Sequence, residues 1–390
     1  SIRDVPKRTY CSAEPATKDH IRLQQLLKPG ERRAENPALP PGRYRMRLQG
    51  SKAYGYLDVK PSVATEDADT EADVVWRASD EPIEHAAPEQ LPRLWDQCLD
   101  RVGHTLQQCT HEGYAQALDE VSAPVHALIE RDPDLAIFQV LSRTANAHVR
   151  YGVDHSVHSA ITASLVAQRL GWHAPERAKV FKVALTMNLS MLELQGELAG
   201  QRTPLTAAQR EAIHSHPQRS VRMLELAGIT DRDWLAGVAD HHESADGRGY
   251  PAGKREVDDL AALVRRADVY TAKLSARCTR DAMAADRAGR AMFMDDPGNA
   301  MTVALVKEFG VYPPGCFVKL ASGETAVVVR RGASVVTPRV AALSTPSGTA
   351  LIEPQPRDTA QREFAIVGVA GQTTLGAHIA PEKLLALALA

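Results

Sequence analysis

The sequence predicts a mainly α-helical protein with a β-hairpin region near its N-terminus and a small β-domain at its C-terminus. Three observations carry that expectation. Apolar residues recur every three or four positions from about residue 91 to 309. Cationic and apolar residues alternate over residues 43–48, ahead of a turn and a second short run. From Val311 onward the helical period gives way to short apolar runs broken by Gly, Ser and Pro. The expected divisions are 1–90 for the hairpin and linker, 91–310 for the helical domain, and 311–390 for the β-domain.

Residues 1–40 are polar and rich in Pro, with one short amphipathic piece from Ile21 to Leu27. After the turn Pro40, Pro41, Gly42, the period of two over residues 43–59 predicts a hairpin that shows Arg43, Arg45 and Arg47 on one face. That face is either a solvated cationic strand or a surface for an anion or partner. The acidic tract of residues 66–73 and the Pro-containing stretch to Pro92 read as a linker.

The helical pattern begins with Leu94, Cys98, Leu99, Val102 and Leu106. It continues in Val157, Ile161, Leu165 and Val166, and Gly171 closes that helix as a C′ residue would. Thr206 and Gln209 form a capping-box start for another helix. Val303, Leu305, Val306 and Phe309 predict a core helix that leads into the β-domain without a flexible linker. Strands are expected around residues 316–320, 326–330, 335–336, 340–343 and 364–367, as a partly open barrel or packed hairpins.

Composition narrows the function. The 390 residues are 44% hydrophobic and 24% charged, which fits a globular protein with one large core. A formal charge of −2 speaks against binding polymeric nucleic acid, although a few local cations can hold a small anion. Five scattered cysteines without a CxxC pair suggest reduced thiols and a cytoplasmic location. No apolar stretch is long enough to span a bilayer, so no membrane partner is expected.

The most informative segment joins His241, His242 and Glu243 to Gly247, Arg248, Gly249, Tyr250 and Pro251. Adjacent imidazoles can serve one metal or two neighbouring metals, and the glycines allow a tight turn beside a ligand. This segment resembles the signature of the HD-GYP family, bacterial metal-dependent phosphodiesterases that open the cyclic dinucleotide c-di-GMP. The resemblance runs in order from about residue 145 to 280 and implies an HD-GYP-type helical bundle.

By that resemblance His155 matches the first helical ligand, His216 the ligand of the His-Pro element, His241 and His242 the paired ligands, and Asp268 the final aspartate. Gly247, Gly249, Tyr250 and Pro251 match the substrate loop. Lys273 and Arg277 lie where the family carries cationic contacts to the substrate phosphates on the same helix. His158 and His214 match no ligand and read as ordinary polar positions.

One departure outweighs these matches. Where the family has His-Asp, then Ile or Leu, Gly and Lys, this chain has Met187, Asn188, Leu189, Ser190 and Met191. The family's aspartate bridges two metals and its histidine holds one of them. A methionine sulfur is soft and neutral, and an asparagine carbonyl brings no charge, so both suit Mn²⁺ or Fe²⁺ poorly. Tyr151 stands where some relatives place an extra metal-binding Glu. At most one divalent metal per chain (Mn, Fe or Zn) is therefore expected, on His216, His241 and His242, and no residue is assigned a catalytic role.

Three readings stay open. The first is a c-di-GMP-binding signalling regulator whose hydrolysis is impaired or lost. The second is an active phosphodiesterase that uses the remaining ligands. The third is a non-catalytic scaffold for a homodimer or a signalling partner.

Overall fold

The computed structural model describes residues 10–15, 23–26, 42–48, 54–59, 83–109, 113–142 and 150–371. The chain divides into two compact units, Ser1–Arg77 and Ala78–Ala390.

The first unit holds four strands, β1 (Tyr10–Pro15), β2 (Leu23–Leu26), β3 (Gly42–Leu48) and β4 (Tyr54–Val59). They form an antiparallel sheet in the order β2-β1-β3-β4. The expected hairpin is β3 with β4, in a register that sets Arg45 opposite Tyr56. Strands β1 and β2 fall within the polar, Pro-rich residues 1–40, to which the sequence assigned no element: Ala13 pairs with Leu23 on one side and Met46 on the other. Which way Arg43, Arg45 and Arg47 point, and the acidic stretch at 66–73, lie outside what the structure describes.

The second unit is built of helices, as the apolar period predicts. They run α1 (Leu91–Gln107), α2 (Tyr114–Arg131), α3 (Pro133–Ser142), α4 (Tyr151–Arg169), α5 (Ala174–Thr186) and α6 (Leu192–Gly200). After these come α7 (Ala207–Leu226), α8 (Arg232–Asp240), α9 (Asp259–Leu274), α10 (Ala285–Asp295) and α11 (Ala300–Phe309). Among the described residues no helix is long and apolar enough to cross a membrane.

Helix α4 is the centre of the bundle, packed by α3, α5, α6, α9 and α11. Small side chains make this possible. Ala160, Ala163 and Ala167 are fully buried, and a Cβ on Gly152 would lie 2.2 Å from the carbonyl oxygen of Leu192. Local chemistry sets the helix starts. Thr206 caps α7 by the expected box: its Oγ1 accepts the Gln209 N–H at 3.1 Å, and the Gln209 side chain accepts the Thr206 N–H at 3.0 Å. Asp231, Asp258 and Asn299 cap α8, α9 and α11 through their side-chain oxygens. Each such cap contributes about 1 kcal/mol.

Five strands follow: β5 (Phe317–Leu320), β6 (Thr325–Arg330), β7 (Arg339–Ser344), β8 (Ala350–Asp358) and β9 (Ile366–Val369). They make one antiparallel sheet in the order β8-β7-β6-β5-β9. Val335 and Val336, read as a strand, sit in an exposed turn instead. Conversely β8 has no expected counterpart because Pro354 and Pro356 argue against a strand. It is an edge strand, where a missing N–H can face away from the ladder. One sheet face places Phe317, Val327, Val329, Ala341 and Leu343 in the helical core. Ion pairs fasten it further. Arg330 pairs with Asp132 at 2.7 Å, and Arg331 pairs with Glu308 at 3.0 Å and with Asp134.

Candidate metal centre

Pro217 explains how His216 is aimed. A proline inside a helix lacks the N–H that would bond the carbonyl four residues earlier. In α7 that carbonyl belongs to Ile213, and the His216 Nδ1–H takes it at 2.6 Å. His241 uses the same device at the end of α8, where carbonyls lose their helical partners. Its Nδ1–H donates to the Val238 carbonyl at 2.7 Å. A carbonyl can only accept, so in both rings Nδ1 carries the proton and Nε2 keeps its lone pair. The two Nε2 atoms then face each other at 3.1 Å.

His242 completes the group. One ligand atom from each of His216, His241 and His242 lies within 4.8 Å of the others, and among the described residues this is the group that could hold a metal. Burial drives all three pKa values below the ordinary imidazole value: His216 falls to about 3, helped by the His241 charge, and His241 and His242 also fall. Neutral imidazoles with converging lone pairs suit a borderline divalent cation such as Zn²⁺.

Asp268 on α9 joins the centre to α4. His155 Nε2 donates to its Oδ1 at 2.7 Å, and its Oδ2 lies 4.0 Å from His242 Nδ1. Burial alone would raise the Asp268 pKa. The hydrogen bond and charge of His155, with smaller effects of His242 and His241, reverse that and hold the carboxyl well below the usual range. His155 Nδ1 is buried with no hydrogen-bond partner. The structure thus brings together all five residues singled out in the sequence, from α4, α7, the turn that follows α8, and α9.

The replaced pair follows α5. Met187 ends α5 with no exposure and belongs to the apolar core, and Asn188 is buried. Their surroundings are fixed on both sides. Trp234 Nε1 donates to Thr186 Oγ1 at 2.9 Å, and Ser190 Oγ donates to the His216 carbonyl at 3.0 Å.

The Gly-rich loop is stapled from below by Glu243, which sequence reasoning left without a role. Its buried carboxylate accepts the Ala252 N–H at 2.7 Å and the Lys254 N–H at 2.9 Å. Gly249 admits no side chain: an added Cβ would come within 2.5 Å of Glu243 Cα, the His242 carbonyl and the Ser244 nitrogen. Gly247 adopts φ +73°, a region that favours glycine. Tyr250 stacks on His242 at 4.4 Å, and the exposed His214 stacks on Tyr250 at 5.4 Å. His214 is therefore the outer ring of a stack reaching into the centre, a role its sequence position did not signal. Pro251 follows Tyr250 through a cis peptide bond.

One of the two cationic positions needs correction, Arg277. Lys273 lies in the last turn of α9, five residues after Asp268 and so about 140° around the helix from it. Arg277 is not on that helix, which ends at Leu274. It pairs with Arg280 in a short bridge, and its Nε donates to the Tyr151 hydroxyl at 3.1 Å. A concavity of about 470 Å³ lined by Pro88, Leu91, Arg131, Asp132, Arg330 and others includes none of the histidines.

The chain is similar to several known proteins. Residues 139–293 match the family model for an HD domain. The chain is 30% identical over 234 residues to a cyclic di-GMP phosphodiesterase of Pseudomonas aeruginosa, covering 57% of this chain and 53% of that one. It is 26% identical over 155 residues to a 3'3'-cGAMP-specific phosphodiesterase of Vibrio cholerae, covering 39% and 33%. The chain thus spans about half or less of these relatives. A solved HDGYP protein from Bdellovibrio bacteriovorus overlays with a TM-score of 0.46 at 15% identity, over 59% of this chain and 74% of that one.

Proposed function

This chain carries an HD-GYP-type domain of the HD superfamily, and from that premise we propose that it binds a cyclic dinucleotide such as c-di-GMP as a signalling regulator with impaired hydrolysis. The carrying observation is the contrast within one centre. His216, His241 and His242 converge as a set that could hold a metal, while Met187, which by resemblance stands at the family's His position, is a buried apolar core side chain.

Such an ion would act as a Lewis acid on a phosphoryl oxygen and lower the pKa of bound water. The protein's own groups support binding more than turnover. His216 and His241 are fixed by backbone carbonyls and present lone pairs without reorganisation. His155 Nε2 already engages one oxygen of the Asp268 carboxylate. Tyr250 stacks on His242 and shields one side of the centre. Asn188, which stands where the resembling family has the aspartate that bridges two metals, carries no charge.

Two measurements test this together: metal content of the purified full chain, and calorimetric titration with c-di-GMP alongside chromatography for linear product. One metal, measurable binding and negligible product are expected. Two metals at full occupancy with rapid product formation would refute impaired hydrolysis.

A further inference from the structure

Three aromatic rings lie face on face beside the centre, in the order His242, Tyr250 and His214. The inner pair stands 4.4 Å apart at 20°, and the outer pair 5.4 Å apart at 25°. His216 also meets Tyr250, but edge-on, at 6.4 Å and 67°. His242 and Tyr250 are half-buried, whereas His214 is exposed. The stack is thus a continuous π surface that starts at a candidate metal ligand and ends in solvent.

Tyr250 is held without His214. Its N–H donates to the His242 carbonyl at 3.3 Å, its ring rests on His242, and Glu243 staples the residues that follow. Among the described residues no hydrogen bond or ion pair holds the His214 ring. With one face on Tyr250, that ring leaves its other face to water. A flat ring can be covered on this face while its in-plane nitrogens stay hydrated, so stacking there strips no polar atom of water. Aromatic faces accept any nucleobase, and the two fused rings of a purine overlap them most.

We propose that His214 is the base platform of this site: its outer face stacks a purine whose phosphate reaches the centre formed by His216, His241 and His242. This rests on reading that centre as a metal site that handles a phosphate ester. His214 and His216 are two residues apart on α7, so one helix sets the positions of both base and phosphate. The ligand this combination selects is a purine nucleotide, and either a cyclic dinucleotide or a mononucleotide supplies that chemistry.

The test uses the full chain supplied with Zn²⁺, as wild type, His214→Ala and His214→Phe. Each is titrated by calorimetry with c-di-GMP, with GMP, and with ribose 5-phosphate, which has no base. Alanine is the better helix former, so His214→Ala should fold. It should weaken c-di-GMP and GMP about tenfold and leave ribose 5-phosphate unchanged. His214→Phe keeps a flat face without nitrogens and should stay within about threefold of wild type. If c-di-GMP binds wild type and His214→Ala equally, the platform is wrong while the dinucleotide reading stands. If GMP binds through His214 and c-di-GMP does not bind at all, the dinucleotide reading falls and the platform stands. Ribose 5-phosphate weakened in step with GMP overturns the platform, since it marks a displaced loop. Equal losses in His214→Phe and His214→Ala also overturn it, and this arm alone decides where ribose 5-phosphate binds too weakly to measure. Wild type binding none of the three overturns both readings.

Discussion

The Nε2 atoms of His216 and His241 lie 3.1 Å apart, and each ring has already donated its Nδ1 proton to a backbone carbonyl. Two lone pairs that face each other at this distance repel unless a cation sits between or beside them. A proton would make one ring an imidazolium, which burial opposes in both. The geometry favours a metal ion over a proton.

Metal binding should therefore stabilise the fold by mass action. One equivalent of Zn²⁺ or Co²⁺ is expected to raise the melting temperature by several degrees, and chelation to reverse it. His216→Ala or His241→Ala should abolish that response. A thermal scan in which either variant still responds like wild type would remove these residues from the site.

The metal-free protein should also show a defined pH dependence. The folded-state pKa values of His216, His241 and His242 lie below the ordinary 6.5, so the unfolded chain binds more protons as pH falls beneath that value. Stability is then complete above about pH 6.5 and declines toward pH 4, at up to about 1.4 kcal/mol per pH unit for each histidine. Asp268 contributes with the same sign, but only as pH drops through its ordinary 3.8 and below. Urea unfolding in chelator should show a shallower pH slope for His216→Asn. Parallel slopes would contradict the buried neutral imidazole.

Glu243 should matter to the loop without touching a ligand. In Glu243→Gln one accepting oxygen becomes an NH₂ that cannot accept the Ala252 or Lys254 N–H. Leaving a buried N–H unsatisfied costs about 1–3 kcal/mol. Hydrogen exchange should rise at Ala252 and Lys254 while helix α4 stays protected. Gly249→Ala should loosen the same loop, because its Cβ meets backbone atoms that cannot yield. Unchanged exchange in both variants would show that the staple is not what holds Tyr250 against His242.

The helical bundle was legible because its period is long and regular, and capping at Thr206 has a direct chemical signature. Strands β1 and β2 were missed because they are short and polar, and their pairing with β3 is decided by tertiary partners. Strand β8 was hidden by two prolines that only an edge position tolerates. At the centre, the histidines were readable from the family resemblance, yet their aim was not. Pro217 sits next to His216 in the sequence, but its role appears only when the Ile213 carbonyl is seen to lack a helical donor. Arg277 was misplaced because Ser275, in extended conformation, ends α9 without a Gly or Pro to announce it.

The last expectation is a repair. Met187 is fully buried and Asn188 nearly so, between the Trp234 to Thr186 bond on one side and the Ser190 to His216 bond on the other. That backbone is held in place, and histidine is no bulkier than methionine, so Met187→His with Asn188→Asp should fit without shifting α5. The double variant should raise metal content from one ion to two and create hydrolysis of c-di-GMP to its linear form. Either single change should do much less, because the two ligands would act as one unit. An aspartate at 188 without a captured ion is a buried charge, so the double variant should melt lower than wild type in chelator and recover with Mn²⁺ or Fe²⁺. Each kcal/mol corresponds to about 2–4 °C for a domain of this size. A wild type that already hydrolyses c-di-GMP, with no gain in the double variant, would mean that Met187 and Asn188 are not where this chain limits its chemistry.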